Sequence, residues 1–387
     1  MGKSAFHAII WVESKLWLSQ IKSEQMVKPL PKTILQPRSV GGDVVKSNTQ
    51  SQSILTVHLG DGVYWDLSKA ANPHMVILAT SGGGKTQTLK AIVWELYQGF
   101  PTRSIVLDFH GDQEISGEIC YPIHMASNHG INPLVINKDP EGGGSSLQAI
   151  SVAATLRRAL VMGTNQEGLL IMMIQELYEQ FGITQENRQT WNQKPPHLGD
   201  LQQAIDRRVE GGCKDAGALQ IKLAATFQYQ VFSRPQIDLS AGKLIRVDLS
   251  KLPPELGAIA AEAILKQVMD SHRLAGESPS LKTFVFVDEA KELKGSKTLD
   301  RITADGRKYG LGIVLATQRE THISPDVLAN TATKILLPVD VADIRKVASR
   351  FRFDAGRIAN LGTFQALVRM GSTAVACTIK PFYQRQT

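Results

Sequence analysis

The stretch "ILATSGGGKTQTLKA", residues 77–91, constrains the chain more than any other. An apolar strand runs into three consecutive glycines, then Lys-Thr, then a helix. Glycine reaches backbone dihedrals closed to other residues and leaves its amide groups bare. At the start of a helix the unpaired N–H groups and the helix dipole together favour an anion. Gly82, Gly83 and Gly84 supply the amides, Lys85 an ammonium for the outer phosphates, and Thr86 a hydroxyl for magnesium. Ser81 and Gln87 flank them and complete the candidate nucleotide-binding set. The GxxxxGK[ST] pattern asks for glycine at position 79. This chain has Ala79, the mildest replacement, which requires an unstrained dihedral there.

Two later strands end in groups that suit a triphosphate. In "TFVFVDEAKEL", Phe284 to Val287 deliver Asp288 and Glu289 to a strand terminus. Ligands of parallel sheets collect beyond the carboxyl ends of the strands. Asp288 is placed to hold magnesium, and Glu289 to take a proton from an attacking water. In "GLGIVLATQRE" the strand ends at Thr317-Gln318-Arg319. Gln318 is a candidate sensor of the γ-phosphate. Arg319, Arg307 and Lys308 are candidates for stabilising negative charge, in this site or a neighbouring subunit's.

Strands and helices alternate along most of the chain, which predicts an α/β fold with a largely parallel sheet covered on both faces. Residues 1–53 read as an N-terminal helix followed by a linker or arm, and residues 54–146 as the first part of the core. Residues 147–232 read as a helical insertion, and 233–387 as the second part of the core, closing in a hairpin at Gly371-Ser372. Within the first part, Gly60-Asp61-Gly62 reads as a hairpin turn and 111–146 as loop. Helices are expected near 255–273, 297–308 and 340–350.

The 387 residues carry a net charge of +7, which fits a polyanionic partner such as nucleic acid. Lys291, Lys294 and Lys297 follow the acidic strand closely and could contact phosphates without reading bases. Cys120, Cys213 and Cys377 lie far apart, form no metal-binding spacing, and read as small buried hydrophobes. No apolar run approaches the roughly 20 residues needed to span a bilayer. The N-terminal segment lacks the marks of a signal peptide, so a cytoplasmic location is expected.

The order and wording of these motifs resemble the HerA–FtsK superfamily of P-loop ATPases, most closely its HerA branch. The glycine loop "ATSGGGKT" matches, although that family more often has glycine at position 79, threonine at 81 and serine at 83. Asp108-Phe109-His110-Gly111-Asp112 is similar to the sequence that ends the family's second strand, and Asn132-Pro133-Leu134 follows it. "ADGRKYGLGIVLATQRETHISPDVLANTATKILLPV" resembles the family's last core segment almost end to end. The resemblance implies a RecA-like P-loop core that takes ATP and Mg2+. It gives Gly82, Gly84, Lys85 and Thr86 the nucleotide, Asp288 the metal, Glu289 the base, Gln318 the sensor and Arg307 the finger. It also implies a hexameric ring of identical subunits that moves double-stranded DNA without sequence preference, beside a nuclease or other effector, in DNA processing or phage defence. Full-length HerA proteins have an N-terminal β-barrel for which the first 50 residues here are too few, a departure that bears on ring formation and nuclease recruitment. Two other expectations stand beside this one: an ATP-dependent scaffold or regulatory subunit, and a conjugation-type secretion ATPase.

Overall fold

The computed structural model describes residues 56–386; the helix and arm expected over residues 1–53 lie outside the described residues. A hairpin comes first, β1 (Thr56–Gly60) against β2 (Val63–Asp66), turning at Asp61 and Gly62, both with positive φ. Then come β3 (Met75–Leu78), α1 (Lys85–Gly99), β4 (Arg103–Asp108) and β5 (Ile119–Pro122). Four helices follow: α2 (Ser145–Leu160), α3 (Thr164–Gln180), α4 (Leu198–Glu210) and α5 (Lys214–Tyr229). The alternation resumes with β6 (Leu244–Asp248), α6 (Pro254–Leu274), β7 (Thr283–Val287), α7 (Lys297–Asp305) and β8 (Leu311–Thr317). It ends with α8 (Pro325–Ala329), β9 (Thr333–Leu336), α9 (Ile344–Phe351), α10 (Ala355–Ala359) and the hairpin β10 (Gln365–Met370) and β11 (Thr373–Thr378).

Nine strands form one sheet in the order β11-β10-β9-β3-β8-β7-β4-β6-β5. From β9 to β5 every neighbouring pair is parallel; β10 runs antiparallel to both β9 and β11. This is the expected mixed α/β core. The continuous apolar runs of the inner strands follow from burial on both faces. Their side chains alternate between two cores. Val76 and Leu78 join Val285, Val287 and Leu315 on one side, under α2 to α7. Met75 and Ile77 join Phe284, Phe286 and Val314 on the other, under α1 and the β1–β2 hairpin. Leu89, Ile92, Val93 and Leu96, the apolar stripe of α1, are all in that second core. Each buried side chain of this size contributes about 1.5–3 kcal/mol relative to exposure.

The helical block from α2 to α5 leaves and rejoins the sheet between neighbouring strands, β5 and β6. Its neck is tied by backbone bonds: Gly130 N–H donates to Pro235 O at 2.8 Å, Ile131 to Val231 O at 2.9 Å, and Ile237 to Gly130 O at 3.0 Å. Gly130 is required there, because a Cβ would lie 2.1 Å from Val231 O. Three details depart from expectation. Strand β5 lies inside the segment read as loop, helices α8 and α10 had no counterpart, and among the cysteines only Cys377 is buried, while Cys120 is exposed.

His74, at the entry to β3, is 1% exposed, and neither of its ring nitrogens has a hydrogen-bond partner. Burial, with the Arg307 cation adding to it, lowers its pKa from 6.5 to about 4. Between those values the unfolded chain binds a proton that the folded chain refuses. Stability is therefore full above pH 6.5 and lost as the pH falls toward 4, by roughly 3 kcal/mol from this group. Replacing His74→Leu removes no hydrogen bond from the ring. Urea melts of the two proteins at pH 7 and pH 5 are expected to converge on a smaller pH dependence for the variant; equal slopes would clear His74 of this role.

Candidate active site

The sheet order sets the geometry. Strand β8 lies between β3, which feeds the glycine loop, and β7, which ends at the acidic pair. Leu78 is in register with Thr317, and Leu315 with Val287, so the three strand ends open on one edge. Within the loop, φ is 77° at Gly82 and 102° at Gly84, conformations that favour glycine. Ala79 has no such angle. Its N–H donates to Thr317 O at 3.1 Å as an extension of the strand, so alanine is unstrained where the pattern asks for glycine.

Lys85 joins the two motifs. Its Nζ donates to the backbone oxygen of Asp288 at 2.8 Å and lies 3.6 Å from Glu289 Oε2. Asp288 is 1% exposed. Its Oδ1 accepts from Phe109 N–H at 3.0 Å, and its Oδ2 lies 3.0 Å from His110 Nδ1. Burial pushes the Asp288 carboxyl above the usual range, while the bonds to His110 and Phe109 pull it back. The same bond to Asp288 raises the imidazole of His110. Thr86 Oγ1 donates to Asp112 Oδ2 at 3.2 Å. Asp108, Asp112 and Asp288 each offer a carboxylate oxygen within 4.8 Å of the others. A hard cation prefers such oxygen ligands, completed by phosphate and water, so Thr86, Asp112 and Asp288 fit magnesium.

Asp108 also serves as a hub. It accepts from the N–H groups of His110, Gly111 and Gln113 and from Arg246 Nη1, which shapes the loop that carries Asp112. Arg246 in turn holds Glu118 at 2.7 Å and Asp248 at 3.6 Å.

Around Glu289, Gln318 Nε2 lies 3.5 Å from Oε2 and His322 Nδ1 lies 3.8 Å from Oε1. Burial lowers the pKa of His322, and its Nδ1 is 2.9 Å from Thr317 Oγ1. The structure thus gathers Lys85, Thr86, Asp288, Glu289 and Gln318 at one edge. It does not bring Arg307 there. That residue precedes β8 at the opposite end of the sheet and donates to Ala71 O, so it cannot serve its own chain's site. Arg319 is exposed and makes no ion pair among the described residues. Asp112, His110 and His322 had no role assigned from sequence. All three lie in stretches that carried the family resemblance, the first two in Asp-Phe-His-Gly-Asp and His322 in the last core segment, but none of them was singled out there.

On the far side of the loop stands the chain's last segment. Phe364 has φ 64°, a left-handed conformation that costs a bulky residue about 1–3 kcal/mol. Its ring fills the space beside Gly84, where a Cβ would lie 2.6 Å from Cδ1. Tyr383 N–H donates to Gln87 Oε1 at 3.3 Å. A cleft of about 620 Å³ lined by Arg103, Lys243, His272 and Lys282 lies at the other end of the strands, away from these groups.

The family model described as the central domain of the helicase HerA matches residues 58–135. A probable DNA double-strand break repair helicase HerA of Methanocaldococcus jannaschii is 24% identical over 380 residues, covering 82% of this chain and 73% of the relative. The DNA double-strand break repair helicase HerA of Sulfurisphaera tokodaii is 22% identical, covering 69% of this chain and 55% of the relative. Among solved structures, VirB4 of Thermoanaerobacter pseudethanolicus has a TM-score of 0.71 at 18% identity, with 85% of this chain and 97% of that one covered. The plasmid coupling protein TrwB in complex with ADP and Mg2+ has a TM-score of 0.56 at 15% identity, with 81% and 87% covered. No helix among the described residues is long and apolar enough to cross a membrane.

Proposed function

We propose, from its place among the P-loop ATPases of the HerA–FtsK superfamily, that this chain hydrolyses ATP to drive itself along double-stranded DNA. The observation that carries the reading is the Lys85 ammonium, held between the glycine loop and the Asp288–Glu289 pair. In this mechanism the amides of residues 82–84 and Lys85 bind the triphosphate. Thr86, Asp112 and Asp288 hold magnesium, which when bound screens phosphate charge. Glu289 takes the proton from an attacking water, and Gln318, beside it, senses the γ-phosphate. Arg307, exposed at the far end of the sheet, acts in a neighbouring subunit's site, and Arg319 neutralises charge at the rim of its own. The active form is a cytoplasmic hexameric ring, with a nuclease or other effector working beside it. Both named HerA relatives carry DNA double-strand break repair in their names, which supports DNA as the client.

The exposed Lys291, Lys294 and Lys297 contact DNA phosphates on the same edge as the catalytic groups. Linear duplex DNA is therefore expected to raise the ATPase rate. With one phosphate neutralised by each lysine, the DNA concentration for half-stimulation rises roughly 40-fold between about 50 and 200 mM salt. A steady-state ATPase assay across that range tests it. No stimulation by any DNA at low salt would move the assignment to the ATP-dependent scaffold.

A further inference from the structure

A triphosphate on this loop has a direction. Lysine at this position reaches the β- and γ-phosphates, and Lys85 lies on the side of β8 and β7. The nucleoside must therefore leave on the other side of β3, over β9 and β10. The groups that stand there are aromatic. Phe364 holds its strained backbone against the loop, with its N–H 3.4 Å from Gly83 O and its ring beside Gly84. The Tyr383 ring meets it edge to face, with centroids 6.3 Å apart and planes at 68°. Tyr383 remains 55% exposed although its backbone is tied to Gln87, two residues beyond Lys85.

The segment that carries Tyr383 is fixed on three sides. Arg385 Nη1 pairs with Glu95 of α1 at 2.6 Å, Nη2 donates to Leu59 O at 3.0 Å, and Nε to Lys380 O at 2.9 Å. An exposed aromatic face on an anchored backbone loses little freedom when a ligand settles on it. Every nucleobase has a π-face, and stacking on aromatic side chains needs no reading of the base edge.

We propose that Tyr383 is the platform on which the nucleobase of the bound nucleotide stacks, with Phe364 holding its ring edge-on. This rests on the reading of residues 82–86 as a phosphate loop and deepens it by assigning the nucleoside end. Such a platform ranks nucleotides by ring overlap, so ATP and GTP depend on it alike.

Calorimetric titration of the full chain with ATP, GTP and inorganic tripolyphosphate tests the assignment. Tyr383→Ala is expected to weaken ATP and GTP roughly tenfold and to leave tripolyphosphate unchanged; Tyr383→Trp restores the nucleotides. Unchanged ATP affinity in Tyr383→Ala overturns the proposal. An equal loss for ATP and tripolyphosphate also overturns it, since the tail would then only support the loop. Lys85→Ala separates the two readings. If ATP still binds that variant, the phosphate loop itself is misassigned and the platform falls with it.

Discussion

Lys85→Ala is expected to lower ATP affinity by a factor on the order of 100 to 10,000. The ammonium has only 12% of its side chain exposed, and it faces two acceptors at once, the Asp288 carbonyl and the Glu289 carboxylate. In the bound state it would divide its three N–H donors between those acceptors and the outer phosphates. Charge-assisted hydrogen bonds contribute about 1.5–3 kcal/mol each, and two lost together give the stated range. The variant also leaves Glu289 without its nearest cation in a largely buried position, so some thermal stability goes with it. Calorimetry with ATP, beside a melting curve showing that the variant is folded, decides the matter. ATP binding within about tenfold of the parent would end the phosphate-loop assignment.

Glu289→Gln has the complementary outcome. The amide keeps the size and shape of the side chain, and its one oxygen still accepts from either Gln318 Nε2 or the Lys291 N–H, which bond different oxygens of the carboxylate. ATP binding is therefore preserved. The amide cannot take up a proton, and general-base catalysis contributes about 100- to 10,000-fold, so turnover is expected to fall by that factor. Pre-steady-state and steady-state phosphate release on the same preparation distinguish loss of chemistry from loss of binding. Unaltered hydrolysis would transfer the base role to another residue, with His322 the nearest candidate at 3.8 Å from Glu289.

Much of this edge of the sheet was legible because its chemistry is local. The glycine loop, Lys85 and Thr86 are contiguous, and Asp288 and Glu289 follow an apolar run that could only be an inner strand. The missing parts are those made by contact across sequence. Thr86 meets Asp112 over 26 residues. Nothing in the spacing of Asp112 or His322 announces such a contact. Strand β5 was illegible for a different reason. As an edge strand it is largely exposed and short, its apolar Ile-Cys-Tyr ending at once on Pro122, and its pairing with β6 is through the backbone. Arg307 precedes β8 in the sequence, which already sets it at the end of the sheet opposite Asp288 and leaves a neighbouring subunit's site as the one it could serve.

The tied neck at Gly130 has an evolutionary consequence. Because the helical block departs and returns through one small gate, its growth or shrinkage adds little closure entropy and transmits no slippage to the strands that bear Asp108 and Asp288. The block behaves as an exchangeable cartridge on a fixed chassis. Kindred chains are expected to diverge most in length between positions 131 and 234, while the hinge at 130 tolerates only the smallest residue.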